Sequence, residues 1–432
     1  MSFPKLQKMS GEIEKCFRCS LCKMVPLPVF KKTAFSGTCP INNYYHFHHY
    51  SCSGLEYMGL ALAEGRIKPD QRLADIVFSC RTCGYCDVAC KFVMDVDRDK
   101  INLILRETLV EQGLSPAENE IAVQNMRERG NPAGIMEPES GTWAAGLNLK
   151  KMPGQQAKIL LFAGCSTRQD PKVAQTARQL AALLKSADVD FGILGDDEIC
   201  CGLPAHWTGF RNEFKIQAQK NMALLRETGA KTIITVCGAC LGTLRSKYPE
   251  VGIENELKIV HATEFLKKLI QKKKINLPQQ LPFTVTYHDP CYLGRKAEPY
   301  VEWKGVEKKA FGQMVYHTPT KEIRYGTEGV FDSPRMILNR INGITFTEMH
   351  RIREYALCCG GGGGNAGKYK EMSMKAAVDR IDEALDVGAK YLITSCAHCR
   401  QQLEKARKIN GQKIQIIDII DLVSQAANID VT

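Results

Sequence analysis

The C-terminal two thirds of the chain alternates short apolar runs with amphipathic ones, and the alternation repeats. Lys158 to Phe162 is an apolar run of strand length, and Pro171 to Lys185 carries a helical pattern behind an N-terminal proline. Val189 to Leu194 reads as a second strand, and Thr284 to Tyr287 is the counterpart of the first in the later half. Gly229-Ala230-Lys231-Thr232-Ile233-Ile234-Thr235-Val236-Cys237 aligns with Gly388-Ala389-Lys390-Tyr391-Leu392-Ile393-Thr394-Ser395-Cys396. In each copy a helix ends at Gly-Ala-Lys, an apolar strand follows, and a C-x-x-C opens the next helix. Short strands alternating with helices predict parallel α/β sheets, whose ligand sites gather at the carboxyl ends of strands.

The first third is patterned differently. Leu55 to Arg66 and Leu73 to Val77 read as helices. From 111 to 156, Pro116, Gly130-Asn131-Pro132 and Pro153-Gly154 break any long element, leaving a linker in which Ala117 to Arg129 is the one helical stretch. The expected boundaries are 1–110, the linker 111–156, then 157–278 and 279–432, the last with an insertion over about 300–350.

Cysteine spacing gives this pattern its chemistry. Ten of the nineteen cysteines form one five-cysteine pattern that occurs twice. Cys165 is followed, after 34 intervening residues, by Cys200-Cys201-Gly202 and then Cys237-x-x-Cys240. Cys291 is followed, after 66 intervening residues, by Cys358-Cys359-Gly360 and then Cys396-x-x-Cys399. Each group lies just after a strand or in a glycine-rich turn. Five converging thiolates exceed what a zinc ion or an ordinary cubane takes, so two unusual metal clusters and electron transfer are expected. Adjacent cysteines bridge or serve neighbouring irons more easily than they bind one. Gly202, Gly360 and Gly361 would let backbone N–H groups reach the sulfurs and tune the reduction potential. A metal-free buried pair or a vicinal disulfide is the alternative. The matched gaps of 35 and 36 residues to the C-x-x-C weigh against it.

Cys80-x2-Cys83-x2-Cys86-x3-Cys90 has the ligand spacing of a bacterial ferredoxin. Cys16-x2-Cys19-x2-Cys22, followed by Cys39-Pro40, is a second copy with a stretched final gap. In two-cluster ferredoxins the fourth cysteine of each run serves the other cluster. That assigns Cys16, Cys19, Cys22 and Cys90 to one [4Fe–4S] cubane, and Cys80, Cys83, Cys86 and Cys39 to the other. A pair of zinc sites fits two triple runs poorly, because zinc favours paired C-x2-C or Cys/His sets. The expected fold class is therefore α+β and multidomain: a mostly helical two-cluster ferredoxin-like domain, then two tandem α/β domains as a pseudo-symmetric pair.

Composition narrows the setting. The N-terminal MSFPKLQKMSGEIEK lacks the apolar core of a signal peptide, and no run approaches the ~18–20 apolar residues of a membrane span. Nineteen cysteines without such a signal argue for a reducing compartment and metal ligation. A cytoplasmic location is expected, with membrane association only through a partner. The formal charge of +11 is offset by the negative charge that thiolate-ligated clusters carry. The densest basic run, Lys267-Lys268 with Lys272-Lys273-Lys274, reads as a solvated helix face. It has none of the aromatic interleaving that marks nucleic-acid binding, so nucleic acid is not an expected partner.

Three features compete for a role. Gly362-x-Gly364-x-x-Gly367 fits a dinucleotide fingerprint, but five consecutive glycines make the match cheap, and cluster packing explains them better. Tyr44 to Tyr50 holds His46, His48 and His49 beside Cys52, the one unassigned cysteine. An aromatic surface that shields a cluster or docks a partner is expected there, and a separate metal site is the alternative. The insertion carries Trp303, Tyr325-Gly326 and Pro334, and reads as a partner-docking loop or lid, or as decoration.

Over about residues 10 to 425 the chain resembles the heterodisulfide reductase catalytic subunits, which join a two-cubane ferredoxin domain to two cysteine-rich CCG domains. The motifs that carry the resemblance are the ferredoxin runs, Ala163-Gly164-Cys165, Cys200-Cys201-Gly202-Leu203-Pro204, His288-Asp289-Pro290-Cys291 and Cys358-Cys359-Gly360-Gly361. Iron–sulfur subunits of anaerobic glycerol-3-phosphate dehydrogenase, glycolate oxidase and benzoyl-CoA reductase complexes are similar. The resemblance implies a noncubane [4Fe–4S] cluster on each five-cysteine set, with a disulfide cleaved between the two. It implies flavin- or iron–sulfur-containing redox subunits of the same complex as partners, with a membrane-bound component among the candidates. The departures are the insertion and Tyr292, where relatives often carry histidine.

The resulting expectation is an iron–sulfur oxidoreductase component of an anaerobic redox complex, with two cubane and two noncubane clusters. A disulfide reductase needs acids near the clusters, and His288 and His398 are the candidates beside Cys291, Cys396 and Cys399. A pure relay between a flavin dehydrogenase or quinone pool and a partner enzyme, such as an acyl-CoA reductase, needs only cluster spacing. A redox sensor or cluster scaffold is the third reading, disfavoured by four complete ligand sets.

Overall fold

A computed structural model describes residues 2–91, 94–135, 143–254, 256–299, 303–310, 314–364 and 366–429. The repeated region folds into two parallel sheets. The first is built from β1 (Lys150–Lys151), β2 (Ile159–Phe162), β3 (Phe191–Ile193), β4 (Thr232–Thr235) and β5 (Lys258–His261), in the order β1-β3-β2-β4-β5. The second is built from β6 (Thr284–Tyr287), β9 (Thr345–Phe346), β10 (Tyr391–Thr394) and β11 (Gln415–Asp418), in the order β11-β10-β6-β9. Every pairing in both sheets is parallel. Laid over each other, β3-β2-β4-β5 corresponds to β9-β6-β10-β11, so the sequence repeat is a structural one.

Apart from the edge strand β1, these strands are short and largely apolar because helices cover the sheets, as parallel sheets require. Pro171–Ser186 starts on a proline behind Asp170, whose carboxylate accepts from the Lys172 N–H, and turns Val173, Ala177, Leu180 and Leu184 inward. In the second half Lys370–Asp386, which precedes β10 as Arg211–Glu227 precedes β4, buries Met372, Ala376, Ala377 and Ile381. The two halves do not keep separate cores. Leu161, Ile234 and Val260 of the first sheet share one apolar cluster with Val285, Ile393 and Ile419 of the second half. Leu160 and Ile233 share another with Leu392 and Ile416.

The linker is more ordered than breakers alone imply. Ala117–Arg129 is helical, and β1 adds an edge strand to the first sheet through Lys150 and Lys151. The insertion forms an antiparallel hairpin of β7 (Val306–Ala310) and β8 (Met314–Thr318), then the helix Asp332–Leu338. The N-terminal third is mostly helical, with Cys52–Ala63, Gln71–Ser79, Tyr85–Lys91 and Arg98–Glu111 as its longer elements.

Buried cations tie this third to the repeat. The Arg106 guanidinium is fully buried, and donates to the carbonyls of Val77 and Cys80 on its own side and of Trp207 and Gly363 in the two halves. Arg295 donates to the Cys83 carbonyl at 2.7 Å, and Lys296 to the Thr82 carbonyl at 2.8 Å. The glycine run closes the same seam. A Cβ on Gly363 would lie 2.6 Å from the Cys80 carbonyl oxygen, so the backbone fits there only without one. This close approach, rather than a phosphate, accounts for the run.

Candidate metal centre

Each half delivers its five thiols to one spot at the carboxyl ends of its strands. Cys165 follows β2, Cys200 and Cys201 lie in the loop before the helix Leu203–Thr208, and Cys237 and Cys240 follow β4. The Cys165 and Cys200 sulfurs are 3.5 Å apart. Cys201 contacts Cys200 and Cys240, and Cys240 contacts Cys237. In the second half Cys358 contacts Cys291 and Cys359, Cys359 lies 3.3 Å from Cys399, and Cys399 contacts Cys396. Nine of these ten residues are buried, Cys291 being half-buried. The two sets touch: the Cys237 and Cys396 sulfurs are 3.7 Å apart.

Backbone donors reach these sulfurs as the Cys-Cys-Gly element predicts. Gly360 N–H donates to Cys358 Sγ at 3.4 Å, in a turn with φ +81° where a Cβ would run into the Ser373 carbonyl. Gly202 packs on Phe214 and Gln217, and Gly361 on Gln402, so these two support the turns from behind.

His288 is buried, its ring nitrogen within 4.8 Å of the Cys359 and Cys399 thiols. Among the described residues this is the one such His/Cys convergence. Nδ1 accepts from Arg380 Nε at 3.1 Å. An arginine only donates, so the neutral ring carries its proton on Nε2, the nitrogen left for Cys359. Burial lowers the His288 pKa and keeps the ring neutral, although Cys359 pulls the other way. His398 sits at the junction of the halves, its ring edge-on to Trp207 at 5.8 Å, within electrostatic reach of Cys237. Trp207 Nε1 donates to the Tyr292 hydroxyl at 2.8 Å, so Tyr292 closes the same junction.

In the N-terminal third, Cys39, Cys80, Cys83 and Cys86 line one pocket, together with Cys22 and Cys52. Four thiols from two distant segments around one void fit a cubane. Thr82 N–H donates to Cys80 Sγ at 3.4 Å. Cys83 also contacts Cys358, which bridges this cavity to the second five-thiol set. Cys16 lies in electrostatic reach of Cys22, and Cys22 of Cys90, while Cys19 is exposed. Arg98 Nε donates to Cys90 Sγ at 3.1 Å.

The three histidines near Cys52 do not converge on it. His48 Nδ1 lies 3.0 Å from Lys23 Nζ, and His49 packs on Phe47 and Tyr50. His46 ends the helix Pro40–Tyr45 in a left-handed turn. The aromatic-surface reading therefore suits this segment. Cys52 itself is buried against Cys86 and Glu56.

Several polar residues at the site escape sequence reasoning. Glu198 accepts from the N–H groups of Ala163 and Gly164 at 3.0 and 2.6 Å, and burial pushes its pKa up to about 7. Asp289 holds Arg335 bidentately at 2.7 and 2.9 Å and accepts from Arg353 N–H at 2.8 Å, which ties the insertion to the His288–Cys291 motif. Glu383 pairs with Arg351 and Arg380. Charge in an apolar stretch was the available signal, but only folding names the partner.

Comparison with known proteins finds the same repeat in the sequence. The cysteine-rich domain CCG matches twice, at residues 159–245 and 314–404. A component of the dihydromethanophenazine:CoB–CoM heterodisulfide reductase of Methanosarcina acetivorans is 29% identical over 366 residues, covering 84% of this chain and 80% of that protein. The EtfAB:quinone oxidoreductase of Syntrophomonas wolfei is 27% identical over 82% of this chain, which spans 47% of its length. A hypothetical protein from Helicobacter pylori shares the fold alone, with a TM-score of 0.53 at 12% identity over 88% of this chain and 68% of its own.

The chain thus carries two CCG cysteine-rich domains. Its resemblance to the heterodisulfide reductase catalytic subunits holds over most of its length. Among the described residues no helix is long and apolar enough to cross a membrane.

Proposed function

We propose that the chain passes electrons from a redox partner, through two cubane sites in residues 1–110, to a pair of noncubane sites in the CCG domains, where a disulfide is reduced. One observation carries this reading. Two complete five-thiol sets, equivalent in the fold, meet at Cys237 and Cys396. When bound, iron–sulfur clusters would supply single electrons at each site.

The chain's own groups set the conditions. Cys16, Cys19, Cys22 and Cys90 would hold one cubane, and Cys39, Cys80, Cys83 and Cys86 the other. Cys165, Cys200, Cys201, Cys237 and Cys240 would hold one CCG cluster, and Cys291, Cys358, Cys359, Cys396 and Cys399 the other. Reducing a disulfide consumes two electrons and two protons and releases two thiols. His288 holds a proton on Nε2 facing Cys359, and His398, also from the second half, stands beside Cys237 at the junction. Gly202, Gly360 and Gly361 shape the turns that present the paired cysteines.

A pure relay is the second reading. Burial of the junction behind Trp207 and Tyr292 favours it, because a relay needs contact between sites but no opening for a substrate.

Iron and sulfide analysis with EPR on anaerobically purified protein tests the common part. About sixteen irons are expected for four [4Fe–4S] clusters. Stoichiometric zinc with little iron would sink both readings. Adding a low-molecular-weight disulfide to the reduced protein then separates them: a new EPR signal supports the reductase, and an unchanged spectrum supports the relay.

A further inference from the structure

Residues 15–55 hold five lysines and arginines and not one aspartate or glutamate. The same stretch exposes an unusual share of large apolar side chains: Phe17 at 60%, Leu27 at 85% and Phe47 at 60%, with Met24 and Phe30 also exposed. It packs as one layer. Val25 and Thr38 N–H groups pair with the Ser36 and Lys23 carbonyls, and Lys23 Nζ meets His48 Nδ1 at 3.0 Å. The cations are mostly not spent on carboxylates. Lys23 faces a histidine, Arg18 lies over the Tyr57 ring, and Lys31 reaches the Met349 carbonyl, whereas Lys15 pairs with Glu12 and Lys32 with Asp386. Cys19 is exposed within this layer.

We propose that this face is the docking surface for an acidic redox protein, which delivers or takes electrons at the first cubane site. The inference rests on the electron-transfer reading and specifies its partner. An apolar centre within a cationic field suits an acidic surface with its own apolar centre, since the charges steer encounter and the apolar contact excludes water. An anionic lipid surface would meet the same charges. It carries no electrons, however, and the exposed Cys19 puts a proposed cluster ligand at the point of contact. A protein donor accounts for both features and a lipid for one.

The test uses the full-length, cluster-loaded protein under anaerobic stopped flow, with a reduced acidic ferredoxin as donor and reduced methyl viologen as a small donor that needs no docking. The wild-type rate with ferredoxin should fall as salt rises. The Lys23→Glu/Lys31→Glu variant should lose about tenfold of that rate, and Leu27→Asp a similar amount, with iron content and the viologen rate unchanged. A ferredoxin rate indifferent to salt and to both variants would overturn the proposal. So would an intact ferredoxin rate with lost binding to phosphatidylglycerol vesicles, which would assign the face to a membrane. Wild-type protein whose clusters viologen cannot reduce would instead bring down the electron-transfer reading itself, and this inference with it.

Discussion

The Cys237 and Cys396 thiols face each other at 3.7 Å, each at the N-terminus of the helix that follows an interior strand, β4 or β10, of its own sheet. Gly238 N–H donates to the Ser395 carbonyl at 3.2 Å alongside. Equivalent atoms of a repeat approach this closely only near its pseudo-twofold axis. Because the halves share their apolar cores, burial fixes the contact.

If each cysteine serves its own set, Cys237→Ser and Cys396→Ser should each lose about four irons, one cluster's worth, and keep the ferredoxin-type EPR signals. Iron-to-protein ratios and EPR of the two variants check this. Full iron in both would remove the pair from the ligand sets.

Much of this arrangement was legible beforehand, and the reasons are physical. Cys237-x-x-Cys240 and Cys396-x-x-Cys399 follow apolar runs of strand length, and the segment after a parallel strand must turn at the sheet's carboxyl edge. Thr284–Tyr287 and Ala117–Arg129 fall where the pattern put them. What spacing does not encode is contact between elements far apart in sequence. Nothing in Arg295, Lys296 or Arg106 says that their partners are the carbonyls of Cys83, Thr82 and Cys80. The Cys83–Cys358 and Cys237–Cys396 contacts depend on how whole units pack. The edge strand at Lys150 and Lys151 was hidden because two exposed lysines carry no strand signal.

Gly360 and Gly361 should differ sharply. A Cβ at Gly360 would collide with the Ser373 carbonyl, on backbone with φ +81°. At Gly361 it would meet Gln402 Cβ at 3.2 Å, a contact that a shift of a few tenths of an ångström relieves. Gly360→Ala is expected to cost about 2 kcal/mol or more, and Gly361→Ala under about 1 kcal/mol. Thermal unfolding of cluster-loaded protein compares them, and equal effects would contradict the geometry.

Asp289 and Arg335 are both buried and paired bidentately, with Arg335 also held by Glu348 at 2.6 and 3.0 Å. Arg335→Met leaves Asp289 unpaired and should destabilise by about 3–5 kcal/mol. Asp289→Asn in the same chain should recover a large part of that. A double-mutant cycle by denaturant unfolding measures the coupling, and additive losses would show that the pair is not a unit.

Asp418 ends β11 and caps the helix Ile419–Ala427 through the Ile420 N–H at 2.9 Å. Burial and the neighbouring Asp421 push its pKa up to about 8. The folded state then holds a proton that the unfolded state releases near pH ~4. The stability it contributes is full below about pH 4 and falls as pH rises through about 8. Asp418→Asn keeps an N-cap and removes the titration. Its melting temperature should gain on the wild type between about pH 6 and 9, by a margin worth about 1–3 kcal/mol. Parallel curves would place the titration elsewhere.

His288 offers a test that separates a donor from a packing residue. With Arg380 donating to Nδ1, the Nε2 proton is available to the Cys359 sulfur. A donor to a cluster sulfur stabilises the reduced, more negative state and so raises its potential. His288→Leu fills the space without a donor, and should lower the midpoint potential of the second CCG site with iron retained. His288→Gln keeps an N–H, and should restore part of the shift. Potentiometric EPR titration reads both. If Leu and Gln give the same potential, His288 fills volume, and the proton it holds has no part in tuning that site.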